Sequence, residues 1–435
     1  MFRTFQVKPG LAGGMALLAA ASMWFYVRHI AVPRQVEDSA RLERPRGNLS
    51  DLYPRWLGAR ELLLQGRDPY SQEVTREIQK GYYGREIDAS RPNDPKDQAG
   101  FAYPVYVVFL LAPTVHMDFA LVRVLSVWLL TVLTVTSVLL WELVLGVAPN
   151  GWRTLIFVSL MLGSYPYIEA ISLQQPLLLV AALMAGSFLA QARGRLVLSG
   201  VLMAVATIKP QVALLPVALM LMWVAGDWRG RQRWLWGFAS AMLLLIGASE
   251  YILPGWLLRF YDAVRAYQSY MAGTSFLDRL VTPRWSGSVW LLMVFQLLWV
   301  GWKSRPLAPE AENFRRALCL ALVAVVCTSP NLALYNQVLL LPGVMFWFEN
   351  RPRWRSGGVL VRNFSRMFAT LLVWPWVACG ILIVARLLFH AEAFVEKAWQ
   401  LPHFATLSLP VVLMVLLLAA PSEPQGALPA REMLA

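Results

Sequence analysis

The chain has 435 residues, of which 57% are hydrophobic and only 15% charged, with a mean hydropathy of +0.51. Soluble domains carry about 25% charged residues, so this chain lacks the polar surface to cover a water-soluble fold and reads as an all-α polytopic membrane protein. The net charge of +13 does not point to nucleic acid. Many of its basic residues sit in short loops between apolar runs, where positive-inside bias and contact with membrane lipids account for them.

Arg3 and Lys8 precede an apolar run from Leu11 to Val27. Ala19-Ala20-Ala21 has the small residues of a signal-peptide cleavage site. The run continues through Met23-Trp24-Phe25-Tyr26, so an uncleaved first span near 11–32 is expected, with its N-terminus in the cytoplasm. A polar stretch, 33–102, follows. It is far longer than the ~15 residues above which loops are usually functional or disordered.

Inside that stretch, "GNLSDLYPRWLGARELLLQGRDPY" (47–70) has the marks of one helix. Ser50 or Asp51 suits the N-cap, because a short side-chain oxygen can accept from free backbone N–H groups. Pro54 fits a first turn, Gly66 suits the C-terminal cap and Pro69 stops continuation. Leu52, Trp56, Ala59 and Leu63 recur by four, three and four, forming one face. A helix of about 13 residues with Arg55, Arg60, Glu61 and Arg67 elsewhere on it is expected to lie along the outer membrane interface. The piece "REIDASRPNDPKDQ" (85–98) reads as mobile.

Apolar segments follow near 103–117, 120–146, 154–172, 176–191, 196–209, 211–225, 235–254, 286–303, 315–330, 333–348, 367–389 and 402–420. Several fall short of the ~20 residues that a 30 Å core requires. Tyr103-Pro104 to Pro113 is expected to be re-entrant or half-crossing, which is tolerable where it lines a protein cavity. The basic loops at Arg193/Arg195, Arg229/Arg231/Arg233, Lys303/Arg305 with Arg315/Arg316, and Arg351/Arg353/Arg355 place one side in the cytoplasm. The turns at Gln174-Gln175, Lys209-Pro210 and Ser329-Pro330-Asn331, with a second long segment at 257–285, then face outside. About twelve crossings with both ends inside result. The whole of 1–435 counts as a single membrane domain.

Within the apolar part, Lys209 stands out, since a lysine at membrane depth costs ~2.5–3.5 kcal/mol. Pro210 is expected to end the helix beside it. Cys319, Cys327 and Cys379 lie inside apolar segments and read as small core residues. His29, His116, His390 and His403 are scattered, and no metal-ligand spacing is seen. No phosphate-cradling loop, dinucleotide fingerprint or nucleophile elbow is found either. Glu142 should be structural, whereas Glu169, in "SYPYIEAISLQQ", should lie near the outer surface.

Asp51, Tyr53, Ala59, Leu63, Gly66 and Pro69-Tyr70 together resemble the signature of glycosyltransferase family 87, a branch of the GT-C superfamily. Four further stretches keep the family's order: Phe101-Ala102-Tyr103-Pro104, "SLQQPLLLVAAL", "GRLVLSGVLMAVATIKPQVALLPVAL" and "TSPNLALYNQVLLLP". The resemblance covers roughly 45–345. Three departures are visible. Val105 replaces a second proline, Leu173-Gln174-Gln175-Pro176 replaces a Gly-Gln-x-Asn turn, and Tyr335-Asn336-Gln337 stands where a His or Asp is frequent.

The resemblance implies a GT-C-like bundle of about 11–13 transmembrane helices, whose large extracytoplasmic first loop (33–102) carries an interfacial helix. It implies transfer of a sugar, commonly mannose, from a polyprenyl-phosphate-linked donor to a lipid or glycan acceptor outside a bacterial-type cytoplasmic membrane, without a cofactor. Asp51 matches the catalytic acidic position. Lys209, Arg259 and Arg284 are candidates for the donor phosphate. Tyr53, Tyr70, Tyr103, Glu169, Gln174, Gln175, Asn331 and Tyr335 are candidates for substrate contact. The competing reading is a secondary transporter or flippase of lipid-linked glycans. It expects substrate groups near the midplane and two related halves, and no convincing internal repeat is seen.

Overall fold

A computed structural model describes residues 8–147, 150–271, 275–329 and 332–419. The described residues form helices and connecting turns, without a strand. The first helix, α1 (Pro9–Arg41), runs on past the expected span through a π-helical turn at Val27–Ala31. Two helices of the polar stretch follow, α2 (Tyr53–Gln65) and α3 (Gln72–Tyr83). Tyr103-Pro104 opens only a short helix, α4 (Val107–Leu111), and a 3₁₀ turn, Ala112–Thr114. At ~1.5 Å per residue such a piece cannot cross a membrane, in line with the half-crossing expected of 103–117.

The helices α5 (Phe119–Val144), α6 (Gly151–Leu162), α7 (Tyr165–Ser172), α8 (Leu177–Ala192), α9 (Leu196–Ala206), α10 (Pro210–Gly226) and α11 (Trp228–Ile252) make up the middle of the bundle. Next come α12 (Trp256–Met271), α13 (Phe276–Leu280), α14 (Pro283–Ser304) and α15 (Glu312–Cys327). A 3₁₀ stretch, Leu334–Leu340, leads to α16 (Leu341–Glu349), α17 (Arg351–Ser356), α18 (Val359–Leu387), α19 (Glu392–Ala398) and α20 (Ser408–Ala419).

Six helical stretches among the described residues are long and apolar enough to span a membrane, and a seventh is obtained if α6 and α7, bent by 58°, count as one broken span. The other segments expected to cross are shorter helices such as α8, α9 and α10. Burial shows what surrounds the bundle. Leu243 and Leu244 of α11 are 72% and 73% exposed, and Leu291, Leu292 and Phe295 of α14 are similarly bare. Contiguous apolar surface of this kind is covered by lipid in a polytopic membrane protein. By contrast α15 is buried almost along its whole length, Phe314 to Cys327, and forms the protein-enclosed centre. All three cysteines are buried there or in α18, as free thiols.

Close backbone approach holds the middle helices. A Cβ on Gly200 of α9 would run into the Trp234 carbonyl, and one on Gly237 of α11 would run into the Val197 carbonyl. Without a hydrophobic driving force between helices in lipid, such small-residue contact is what lets dispersion act.

The basic turns gather at one end of the bundle. Arg231 donates to the carbonyls of Trp223 at 2.8 Å and Arg305 at 2.6 Å, Arg353 pairs with Glu312, and Arg315 donates to the Leu145 carbonyl at 2.7 Å. At that end too, Glu142 accepts from Thr154 at 2.7 Å and faces Arg153, a structural brace between α5 and α6. The turns after α7 and α9 and the stretch after α15 lie at the other end, together with α2 and α3.

One expectation for the polar stretch needs correction. The segment 85–98 is tied rather than loose. Arg85 pairs with Asp94 at 2.6 Å, Asp88 holds Ser90, and Gln79 reaches Gln98 at 3.0 Å. Helix α2 packs on the protein through Pro54, Trp56, Gly58, Ala59, Glu61 and Leu62, which are buried. Gly66 caps it in the left-handed conformation, φ 65°, as its place after Gln65 suggested.

Candidate functional site

The short stretch before α2 is strung between two elements. The Asn48 and Leu49 N–H groups donate to Gly81 and Tyr82 at the end of α3, and the Asp51 N–H donates to the Leu173 carbonyl at 2.9 Å. The Ser50 hydroxyl, wholly buried, donates to Gln174 Oε1 at 2.7 Å. Gln174 takes a left-handed backbone, φ 48°, and its amide nitrogen returns to the Ile171 and Ser172 carbonyls. Gln174 is thus the knot of the turn that follows α7.

Helix α2 starts later than expected. Its N-cap is Leu52, with no side-chain cap bond, so Asp51 does not cap it and its carboxylate is free for other partners. Oδ1 accepts from the Tyr82 hydroxyl at 2.9 Å, and Oδ2 accepts from Gln175 Nε2. Burial and the neighbouring Asp51 charge push the Tyr82 phenol well above its ordinary pKa, which keeps its proton in place as a donor.

Gln175 Oε1 accepts from Lys209 Nζ at 3.2 Å. Lys209 is 5% exposed and lies 4.9 Å from the centroid of the Tyr335 ring. The expectation for Pro210 is corrected here. Helix α9 has already ended at Ala206, and Pro210 opens α10, where its missing N–H costs nothing. The lysine therefore points inward from a break between two helices.

Arg55, one turn beyond Asp51, donates to the Asp51 carbonyl and stacks on the Tyr103 ring at 4.2 Å. Its Nε is shut off from solvent with no partner. Tyr103 is placed by the Tyr70 hydroxyl, which donates to its carbonyl at 2.6 Å. Close packing of α2 on the segment that carries Tyr103 requires Gly58, where any Cβ would enter the Phe101 ring. Glu169 on α7 accepts from the Tyr335 N–H and leaves Oε2 buried without a partner. Tyr267 and Tyr270 of α12, in edge contact at 5.4 Å, lie near enough to feel Tyr335 and Asp97 electrostatically. Burial also lifts the Asp97 carboxyl above its usual range.

The structure therefore brings Asp51, Tyr103, Glu169, Gln175, Lys209 and Tyr335 to one place, with Tyr70 and Gln174 as braces. It does not bring all of the candidates there. Arg259 is engaged by Asp68 at 2.8 Å, and Asp68 in turn accepts from the Tyr70 N–H. Arg284 is exposed and lies over Trp285 at 5.8 Å. Tyr53 packs edge-on against Phe119 at 4.8 Å and fills the space beside Gly81. Asn331 lies outside the described residues.

The family model described as Glycosyltransferase family 87 matches residues 101–330, more than half of the chain. The chain belongs to glycosyltransferase family 87. No curated protein matches it. The family 87 match contains Tyr103, Glu169, the Gln174-Gln175 turn and Lys209, and begins after Asp51 and α2. The family 87 chain thus joins two parts at the site: its matched region supplies Lys209, the glutamine turn and Glu169, and the preceding polar stretch supplies Asp51 and Arg55.

Arg55 and Tyr82 are the two contributors that sequence reading passed over in these roles. Arg55 had one signal, an arginine in an otherwise apolar turn, four residues after Asp51. Tyr82 had none, since only the folded packing of α3 carries its hydroxyl to Asp51.

Proposed function

We propose that this glycosyltransferase moves a sugar, mannose by the family resemblance, from a polyprenyl monophosphate to a hydroxyl of a lipid or glycan acceptor. Asp51 is the general base. The acceptor oxygen attacks the anomeric carbon, its proton passes to Asp51, the bond from that carbon to the phosphate oxygen breaks, and polyprenyl phosphate leaves as an anion. A positioned base contributes typically 10²–10⁴-fold to such a step. Lys209 stabilises the charge that grows on the leaving phosphate.

The observation that carries this reading is the chain Asp51–Gln175–Lys209. It holds a carboxylate by neutral donors, two hydrogen bonds from a buried ammonium. Base and leaving-group cation are thereby set at one site yet kept from neutralising each other. The open Oε2 of Glu169 suits a sugar hydroxyl, which needs an acceptor when buried.

The site lies at the end of the bundle opposite the gathered arginines, and positive-inside bias puts those arginines in the cytoplasm. We therefore assign the reaction to the extracytoplasmic face of a bacterial-type cytoplasmic membrane. The test uses purified protein in membranes, radiolabelled polyprenyl-phosphate mannose and a lipid or glycan acceptor fraction. Asp51→Asn is expected to abolish transfer while inserting and melting like wild type. Undiminished transfer by that variant would overturn the assignment.

A further inference from the structure

We infer that Arg55, together with Lys209, forms the cradle for the phosphate of the lipid donor, and that Arg259 and Arg284 take no part in it. This rests on the polyprenyl-phosphate reading above and names the second cation of that same site.

Arg55 and Lys209 come from different elements, α2 and the α9–α10 break, and converge on Asp51. Arg55 reaches its carbonyl oxygen, and Lys209 reaches its carboxylate through Gln175. The two cations are near enough to repel each other. Among the described residues neither makes an ion pair with a carboxylate. The acids nearby are otherwise engaged: Asp51 by Tyr82 and Gln175, Asp97 by the Ala99 N–H, and Glu169 by the Tyr335 N–H.

Lys209 is buried and Arg55 half-buried with its Nε shielded, and cations so shielded without a carboxylate partner are costly and persist where something else answers the charge. Both lean on tyrosine rings, Arg55 on Tyr103 and Lys209 on Tyr335. Those ring faces compensate only part of that cost. The guanidinium also keeps Nε unsatisfied and shielded. A guanidinium offers planar, paired N–H groups that match two oxygens of a phosphate, and an ammonium adds a compact point charge. The stack on Tyr103 fixes the guanidinium plane, so little orientational freedom is lost on binding.

Two sources can supply such an oxyanion, the monophosphate of a prenyl donor and the headgroup of a bilayer phospholipid. The buried position and the contact with Asp51 favour the former. The proposal is tested by equilibrium binding of polyprenyl monophosphate to the full chain, in nanodiscs of neutral lipid and in nanodiscs containing phosphatidylglycerol. Arg55→Gln is expected to weaken binding about tenfold or more in neutral discs, and Arg55→Lys by less. Arg259→Gln and Arg284→Gln should bind like wild type. Melting temperature is followed throughout. If Arg55→Gln fails to fold, a folded Arg55→Lys with several-fold weaker binding supports the cradle.

Wild-type affinity in Arg55→Gln, or in Arg55→Lys where only that variant folds, overturns the proposal. So does a defect that appears only with phosphatidylglycerol present, since headgroups would then be the ligand. Asp51→Asn separates this claim from the proposed function. It should bind polyprenyl monophosphate normally and fail in transfer. Full transfer by Asp51→Asn would remove the base assignment and leave the Arg55 result standing.

Discussion

Asp51 has two oxygens and two neutral donors, Tyr82 and Gln175, and that allocation decides how each neighbour behaves on substitution. Tyr82→Phe removes a hydrogen bond to a charged group, worth ~1.5–3 kcal/mol, and misplaces the carboxylate without emptying the pocket. Transfer should fall by roughly ten- to a hundredfold, read as kcat with little change in donor KM. Lys209→Met keeps the volume and removes the charge. A lost donor to a developing oxyanion costs roughly 10²–10³-fold in kcat, so steady-state kinetics of this variant test whether Lys209 serves the leaving group. A lysine that only fills space would leave kcat intact. Of these partners, Lys209 was legible in the sequence, because a charge among apolar segments has to be answered by something. The expected capping role of Asp51 was not met. A cap preference is local, and the ladder between residues 48–51, α3 and the turn after α7 outweighs it by starting α2 at Tyr53.

Helix α2 works as a support, and its packing can be tested away from the chemistry. Gly58→Ala forces a methyl into the Phe101 ring. It should cost about 1–3 kcal/mol of stability, measured as a lower melting temperature, and loosen the segment that carries Tyr103. The Arg85–Asp94 clamp governs the segment after α3. The Arg85 side chain holds the Asp94 carboxyl down to about 2 from 3.8. A depressed carboxyl contributes stability that is present above its unfolded value and lost as pH falls through its folded value. Peptic cleavage within 85–98 should therefore rise only as pH drops from about 4 toward 2. Arg85→Ala should open Glu86 to a glutamyl protease at neutral pH. The expected mobility of this segment came from its composition. A paired carboxylate and an Asx turn at Asp88 restrain it, and such pairing is invisible until the chain has folded back on itself.

At the scale of the molecule, the arginine-rich end and the site end are opposite poles, and the proposed orientation rests on that polarity. Cysteines introduced at exposed Glu73 and Arg193 report on it, because the native cysteines are buried. A membrane-impermeant thiol reagent applied to intact cells should label the variant at position 73, and should reach position 193 only after permeabilisation. The reverse pattern would place the site in the cytoplasm and remove the extracytoplasmic assignment.

The sequence by itself determined that this is a helical membrane protein, since 57% hydrophobic residues leave no soluble alternative. Its ordered motifs identified the glycosyltransferase family. These are properties of composition and spacing, which survive without coordinates. Only the tertiary structure decided which cations face the acid. Arg55, Lys209, Arg259 and Arg284 are equivalent as charges in a sequence. Burial and partners separate them: Asp68 takes Arg259, Arg284 is exposed, and Arg55 and Lys209 remain beside Asp51, neither in an ion pair with a carboxylate among the described residues.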